Sequence, residues 1–415
     1  MSGTCTAPPP RRRASRGPAV CALALALAAC GGPAPAQTGE APSITLPPAW
    51  TATAFSPAPA HSPTPAPLGP GEWARGPEGA PVTLVVYCDF QAPGCFTLAG
   101  VLDGLRQAHA DSLRVIYRQF PLLPIHDKSS LAAQAAEAAG AQGAFWEMHD
   151  LLYARWIDWV NLDPEAFRAW LLEAAETLPV DAARFGADLE SGAHAALVEQ
   201  AYALGRSLGF PGAPFVYLNG ELFRLNPDRP NLEAALRLAR LEPRRYPAYP
   251  EWQLAPGATY QARLTLDAGE VILVLYPDEA PLAVNSFVFL ARQGWFDGAA
   301  FHRVLPGVLV ESGDPSGTGL GDPGYFFGVE ADPSLRFDRP GVLAMSAAAP
   351  ETHGSQWFIT LAPLPALEGT HTIFGRVLSG LDRLQALPAR DPIADLLLEP
   401  VAVIRRIVIE ESPGS

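Results

Sequence analysis

The chain has 415 residues, 48% of them hydrophobic, with 44 prolines and a formal net charge of −14. That length exceeds one ordinary core and predicts two folded domains plus non-globular segments. The acidic balance, with Arg11-Arg12-Arg13 as the only basic cluster, argues against nucleic-acid binding.

The N-terminus reads as a targeting segment. Residues 11–16 are basic, residues 19–26 are apolar, and Leu27-Ala28-Ala29 places small side chains directly before Cys30. This pattern resembles a bacterial lipoprotein signal (residues 1–30), in which Cys30 is acylated and becomes the mature N-terminus. An ordinary secretory signal cut near Ala29 is the alternative, and both imply export. The lipoprotein resemblance implies a membrane partner through the lipid alone, on the outer face of the bacterial cytoplasmic membrane. No later apolar run is long enough to span a bilayer. Residues 31–72, dense in Pro, Ala, Thr and Ser, are expected to be a disordered tether reaching at most about 120 Å.

From residue 81 the pattern becomes structured. Residues 82–87 predict a buried strand, 95–108 a helix and 113–118 a second strand. An Ala-rich helical stretch follows over 129–204, broken near 140–143 and 161–164. Residues 214–218 and 221–223 form a hairpin across Asn219-Gly220, and 231–241 a closing helix. This is an α/β layout for a domain spanning 73–242. The prolines of 243–257 predict an interdomain linker. Beyond it, strands at 260–266, 270–276, 302–310, 342–345, 357–360, 373–377 and 401–409, with a helix at 283–293, suggest a closed, mainly-β barrel with two helices over 258–412.

Cys88-Asp89-Phe90-Gln91-Ala92-Pro93-Gly94-Cys95, with Phe145-Trp146-Glu147-Met148-His149-Asp150-Leu151 and Gly212-Ala213-Pro214-Phe215, resembles the DsbA-like thioredoxin-fold proteins. The resemblance places Cys95 at the resolving cysteine, Pro214 at the cis-proline and Ala92 where the attacking cysteine should be. Thiol–disulfide exchange needs an exposed, low-pKa thiolate at the helix start, so the expectation is a redox-inactive module. Cys88 and Cys95 are expected as two buried free thiols, with a disulfide between them as the alternative. His126 and His149 have no clustered ligand partners, so packing or helix capping is expected and no metal.

The second domain carries Phe301-His302-Arg303-Val304, Gly313-Asp314-Pro315, Gly354-Ser355-Gln356-Trp357-Phe358-Ile359 and Leu367-Glu368-Gly369-Thr370-His371-Thr372-Ile373-Phe374-Gly375. These motifs resemble the cyclophilins. The resemblance implies a peptidyl-prolyl cis/trans isomerase that needs no cofactor, with Arg303 as catalytic guanidinium and Gln356 beside the bound peptide. Leu309, Phe358, Leu367 and His371 would wall a proline pocket, and Ser346 and Ala347 would pair with substrate backbone. Val308 stands where the family has a phenylalanine, Glu311 where it has a glutamine, and Ala347 where it has an asparagine. The leading expectation is a foldase for exported proteins, acting on proline-containing polypeptide clients, with the thioredoxin-like domain binding them. The alternatives are a non-catalytic peptide scaffold or holdase, and a thiol oxidoreductase using Cys88 and Cys95.

Overall fold

The computed structural model describes residues 72–349 and 352–413. The signal segment, Cys30 and residues 31–71 of the tether lie outside the described residues.

The first part of the chain runs β1 (Trp73–Arg75), β2 (Val82–Cys88), α1 (Pro93–Ala108) and β3 (Leu113–Gln119). Six helices follow: α2 (Ser129–Gly140), α3 (Phe145–Ala154), α4 (Trp156–Trp159), α5 (Pro164–Ala175), α6 (Ala182–Ser191) and α7 (Ala195–Ser207). The hairpin β4 (Phe215–Leu218) and β5 (Glu221–Leu222) precedes α8 (Arg229–Leu241). The sheet order is β1-β3-β2-β4-β5, with β2 and β3 parallel and the other pairs antiparallel. Alternation along β2 explains why both sheet faces are covered. Val82, Leu84, Val86 and Cys88 enter the core shared with α1, α8 and the helical block, while Val85 and Tyr87 pack with Phe120, Phe210 and Tyr217 on the other face. Asn219 and Gly220 both take positive φ, as a two-residue hairpin turn demands. The helical block breaks where expected and again after Ala154, Ala175 and Ser191.

The second part contains β6 (Thr259–Leu266), β7 (Gly269–Leu275), α9 (Pro281–Arg292), β8 (Arg303–Leu305) and β9 (Leu309–Ser312). β10 (Val342–Ala349), β11 (Thr352–Thr360), β12 (Ile373–Ser379), α10 (Leu381–Gln385) and β13 (Ile404–Ser412) complete it. The strands form one antiparallel sheet in the order β13-β6-β7-β12-β10-β11-β9-β8. The expected closed barrel is a curled sheet instead: among the described residues no ladder joins β8 to β13. The residues leading into the two edges meet at an isolated bridge between Ala300 and Val403, and Gly298 N donates to Ile404 O at 2.8 Å. The strand expected over 302–310 is a hairpin. Val308 N donates to Leu305 O at 2.9 Å, and Gly307 at φ 72° follows Pro306. Proline then left-handed glycine is the chemistry of a type II turn, which folds β9 back on β8.

Residues 242–256 do not behave as a free connection. Leu241 is buried in the core of the second sheet, Leu254 joins it, and Tyr246 and Tyr249 pack against it. Tyr249 Oη donates to Leu282 O at 2.7 Å, and Gln253 N donates to Asn285 Oδ1 at 2.6 Å. Meanwhile Leu232 and Leu236 of α8 are buried in the first core. One helix therefore contributes to both cores.

Candidate active site

In the first domain, α1 begins beside the end of β2. Ala92 is its N-cap residue and is buried, with Cys95 N and Phe96 N donating to Ala92 O. Cys88 and Cys95 are joined as a disulfide across a Cα–Cα distance of 5.7 Å, replacing the expected pair of free thiols. The separation lies within the usual range for a bridge, a quantity the sequence does not carry. Both sulfur-bearing residues are buried. The Ala213–Pro214 peptide bond is cis, and a Cβ added at Gly94 would meet Pro214 Cδ at 2.8 Å, so the proline ring rests against the α1 start. Beside it lies a groove of about 320 Å³ lined by Pro214, Phe215, Leu222, Phe223 and Leu225, among others. Asp89, buried beneath this junction, accepts from Gln91 N, Leu122 N and His126 Nδ1 at 2.7 to 2.8 Å. That hydrogen bond raises the His126 pKa above its ordinary value.

His149 sits elsewhere in this domain, buried among Phe90, Tyr117, Trp146 and Tyr153, with Nδ1 2.9 Å from Asp150 Oδ1. Burial lowers its pKa. Among the described residues no group of three or more His, Cys, Asp or Glu side chains is placed to hold a metal ion.

In the second domain the ladders set a row of side chains across one sheet face. Arg303 is paired with Glu311, Glu311 with Phe358, Phe358 with Ala344, and Ala344 with Ile373. Directly paired residues project to the same side, so guanidinium, carboxylate and aromatic ring stand side by side. Arg303 Nη1 lies 3.1 Å from Glu311 Oε2; the arginine side chain is 49% exposed and the glutamate 7%. Ser346 Oγ donates to Glu311 Oε1, fixing the carboxylate from its other side. Phe358, Ala344 and Ile373 form a small apolar cluster with Phe337 and Val342, against which Leu309 and Leu367 pack. His371 meets Phe358 edge-on at 5.7 Å, and burial lowers its pKa.

Gln356 is placed by an irregularity. Met345 pairs with Trp357 but Ala347 with His353, so three residues of β11 oppose Ser346 alone. Such a bulge re-aims side chains. Gln356 Nε2 donates to Gly319 O at 3.1 Å and Gly321 O at 2.9 Å. Arg303, Glu311, Ser346, Ala347 and Gln356 line a cleft of about 310 Å³ whose remaining wall is formed by Gly319, Leu320, Gly321, Asp322 and Phe326, among others. That wall is wound around buried Asp314, which accepts backbone N–H bonds from Ser316, Thr318, Gly319 and Gly321.

The structure thus brings together Arg303, Glu311, Ser346, Ala347 and Gln356 in the cleft, and Leu309, Phe358, Leu367 and His371 beside it. Val308 is not among them: it lies at the β8–β9 turn, 38% exposed and outside the apolar cluster, because the tight turn carries its side chain outward. Three further residues support the site, two of which, Asp322 and His353, carry no motif signal. Glu330 accepts from Leu282 N and Ala283 N, both at 2.8 Å, at the start of α9. Asp322 lines the cleft and accepts from Arg245 and Gly324 N. His353 Nδ1 donates to Ser346 O at 3.2 Å, and burial pushes its pKa down to about 4. A buried histidine beside a bulge leaves no periodic signal.

This geometry matches what comparison with known proteins finds. Residues 261–406 match the family described as cyclophilin type peptidyl-prolyl cis-trans isomerase/CLD, and residues 69–237 match one described as thioredoxin. The chain is 43% identical over 147 residues to peptidyl-prolyl cis-trans isomerase-like 1 of Gibberella zeae, covering 34% of this chain and 91% of that protein. It is 39% identical over 150 residues to peptidyl-prolyl cis-trans isomerase ppi1 of Schizosaccharomyces pombe, covering 35% and 97%. To peptidyl-prolyl cis-trans isomerase A of Mycobacterium tuberculosis it is 44% identical over 139 residues, covering 30% and 76%. With a thioredoxin-like domain ahead of its curled sheet, the chain belongs to the cyclophilin-type peptidyl-prolyl cis-trans isomerases.

Proposed function

We propose that this isomerase acts on proline-containing segments of exported proteins, with Arg303 as its catalytic donor. Rotation about an X–Pro bond faces a barrier of about 18–20 kcal/mol because the amide is conjugated. In the twisted transition state the prolyl nitrogen becomes pyramidal and accepts a hydrogen bond, which the planar amide does not. A donor aimed there binds the transition state selectively. Arg303 is permanently charged and half exposed, and one intervening strand, β9, separates it from Phe358. The proline ring would rest on Phe358, Leu309, Leu367 and His371, while Gln356, Ser346 and Ala347 would lie along the peptide backbone. The row Arg303–Glu311–Phe358 is the observation that carries this reading. A peptide isomerisation assay on the full chain and on Arg303→Ala tests it: loss of catalysis is expected, and equal rates would refute the assignment.

The first domain is assigned as a DsbA-like module that holds clients without redox turnover. The groove beside cis-Pro214 offers an apolar seat for an extended chain, and Ala92 supplies no nucleophile. A disulfide whose two residues are buried is a staple, not an exchange site. Cys30 as a lipid anchor and residues 31–72 as a tether would hold both domains on the outer face of the cytoplasmic membrane. Palmitate labelling of the expressed protein, abolished in Cys30→Ser, tests the anchor.

A further inference from the structure

The loop wall of the cleft, which follows Asp314, is poor in intrinsic rigidity. Three of its six residues from 319 to 324 are glycines, the residue type with most conformational freedom to lose. It must therefore be held by contacts. On the cleft side Gln356 holds Gly319 and Gly321 through their carbonyls. On the far side the holder is the strap that leaves α8. Arg245 Nε and Nη2 both donate to Asp322 Oδ1, at 3.1 and 2.8 Å, and the same oxygen accepts from Gly324 N at 2.7 Å. Tyr246 N donates to Pro323 O at 2.8 Å. The approach is close enough that a Cβ at Gly324 would meet Tyr246 O at 2.3 Å, and one at Gly321 would meet Leu241 Cδ2 at 2.8 Å.

We propose that Arg245 is a positioning residue for isomerisation: through Asp322 it pins the glycine-rich cleft wall to the strap extending from the thioredoxin-like domain. The residue touches neither the cleft nor the reacting bond, and it lies outside the span 261–406 that matches the isomerase family. Its effect belongs on substrate binding, because the wall it holds lines the cleft beside Gln356 without supplying the donor. Loss of Arg245 leaves Asp322 with the Gly324 N–H alone among these three bonds. The carboxylate and the adjoining glycines are then released toward the space the substrate occupies.

This inference rests on the cleft being the substrate site, so Arg303→Ala is measured in parallel. The full chain, Arg245→Gln and Arg245→Lys are assayed on a chromogenic Ala-Ala-Pro-Phe peptide, with amide hydrogen exchange on each. Arg245→Gln is expected to raise KM roughly three- to tenfold with kcat within about twofold of the parent. Exchange of the 319–324 amides should accelerate about tenfold while α9 stays protected. Arg245→Lys, which keeps the charge on Asp322, should recover most of the KM. Unchanged KM and loop exchange in Arg245→Gln would overturn the proposal, as would faster exchange throughout the second domain, which marks a general structural role. If Arg303→Ala retains full activity, the reading of the cleft itself fails, whatever Arg245→Gln does.

Discussion

The junction around Cys95 and the cleft around Arg303 carry the same kind of damage with different consequences. Both keep their scaffold: cis-Pro214 still rests on Gly94, and the bulge in β11 still delivers Gln356 to its loop. Both have substitutions at positions their resemblances mark as functional. At the first, alanine stands where the resemblance places the attacking thiol, and covalent chemistry has no substitute for a missing nucleophile. At the second, the chemistry consists of shape and field. Replacing one polar side chain by Glu311 changes the field without removing the donor. Catalysis by electrostatics degrades gradually, whereas covalent catalysis is lost in one step.

The largest expected effect that tests this contrast is at Arg303. Arg303→Ala should lower kcat/KM by about 10²–10³-fold, as removal of a preorganised donor does elsewhere, read by a coupled peptide assay. Insulin reduction should stay at background in both proteins. If it does not, the first site is not silent.

Next in size is the disulfide. Replacing Cys88 and Cys95 together by alanine should cost about 2–3 kcal/mol of stability for a loop this short, measured by urea unfolding, with peptide isomerisation unchanged. An altered isomerisation rate would mean that the two regions are coupled more tightly than the contrast allows.

A comparable effect is expected from acid. The folded-state pKa of His353, about 4, lies below its ordinary 6.5, so the unfolded chain binds the proton more tightly. Stability is therefore complete above 6.5 and falls as pH drops towards about 4. Near pH 4.5 the loss from this one group is about 2–3 kcal/mol. Burial lowers the His302 and His371 pKa values as well, with the same sign. Urea titrations of the parent and of His353→Gln across this range should show the shallower pH dependence in the variant.

The smallest effect sharpens the contrast most. Glu311→Gln keeps the side chain's shape and its Ser346 contact but removes the charge facing Arg303. With the guanidinium field unneutralised, kcat/KM should rise roughly three- to tenfold, on the order of 1 kcal/mol. A fall would show that the carboxylate holds Arg303 in place and does not attenuate it.

Much of this architecture is legible in the sequence for identifiable reasons. Val82–Cys88 is a β-rich run, and Asn219-Gly220 has only one comfortable way to turn. Arg303, Gln356 and Phe358 sit in motifs dense enough to fix their places. The hairpin β8–β9 was equally legible through Pro306-Gly307, yet an apolar run on either side reads as one strand. The Cys88–Cys95 bond was not legible, since sequence spacing carries no Cα separation. Nor was the role of residues 242–256: their prolines signal a linker, while Tyr246, Tyr249 and Leu254 follow neither a helical nor a strand period. Arg245 and Asp322 are 77 residues apart and meet only when both parts of the chain are folded.

The course of α8 also bears on the order in which the protein is built. Leu241, Tyr246, Tyr249 and Leu254 serve the second core, yet all precede β6 and are synthesised before any strand of that sheet. Through Leu232 and Leu236 the helix is already anchored when those strands emerge. The second sheet then condenses on side chains held in position, which reduces the loop-closure entropy of finding them. The first domain is in this sense a template for its own neighbour. A chain with the two domains exchanged in order would keep every residue and is expected to fold its isomerase more slowly.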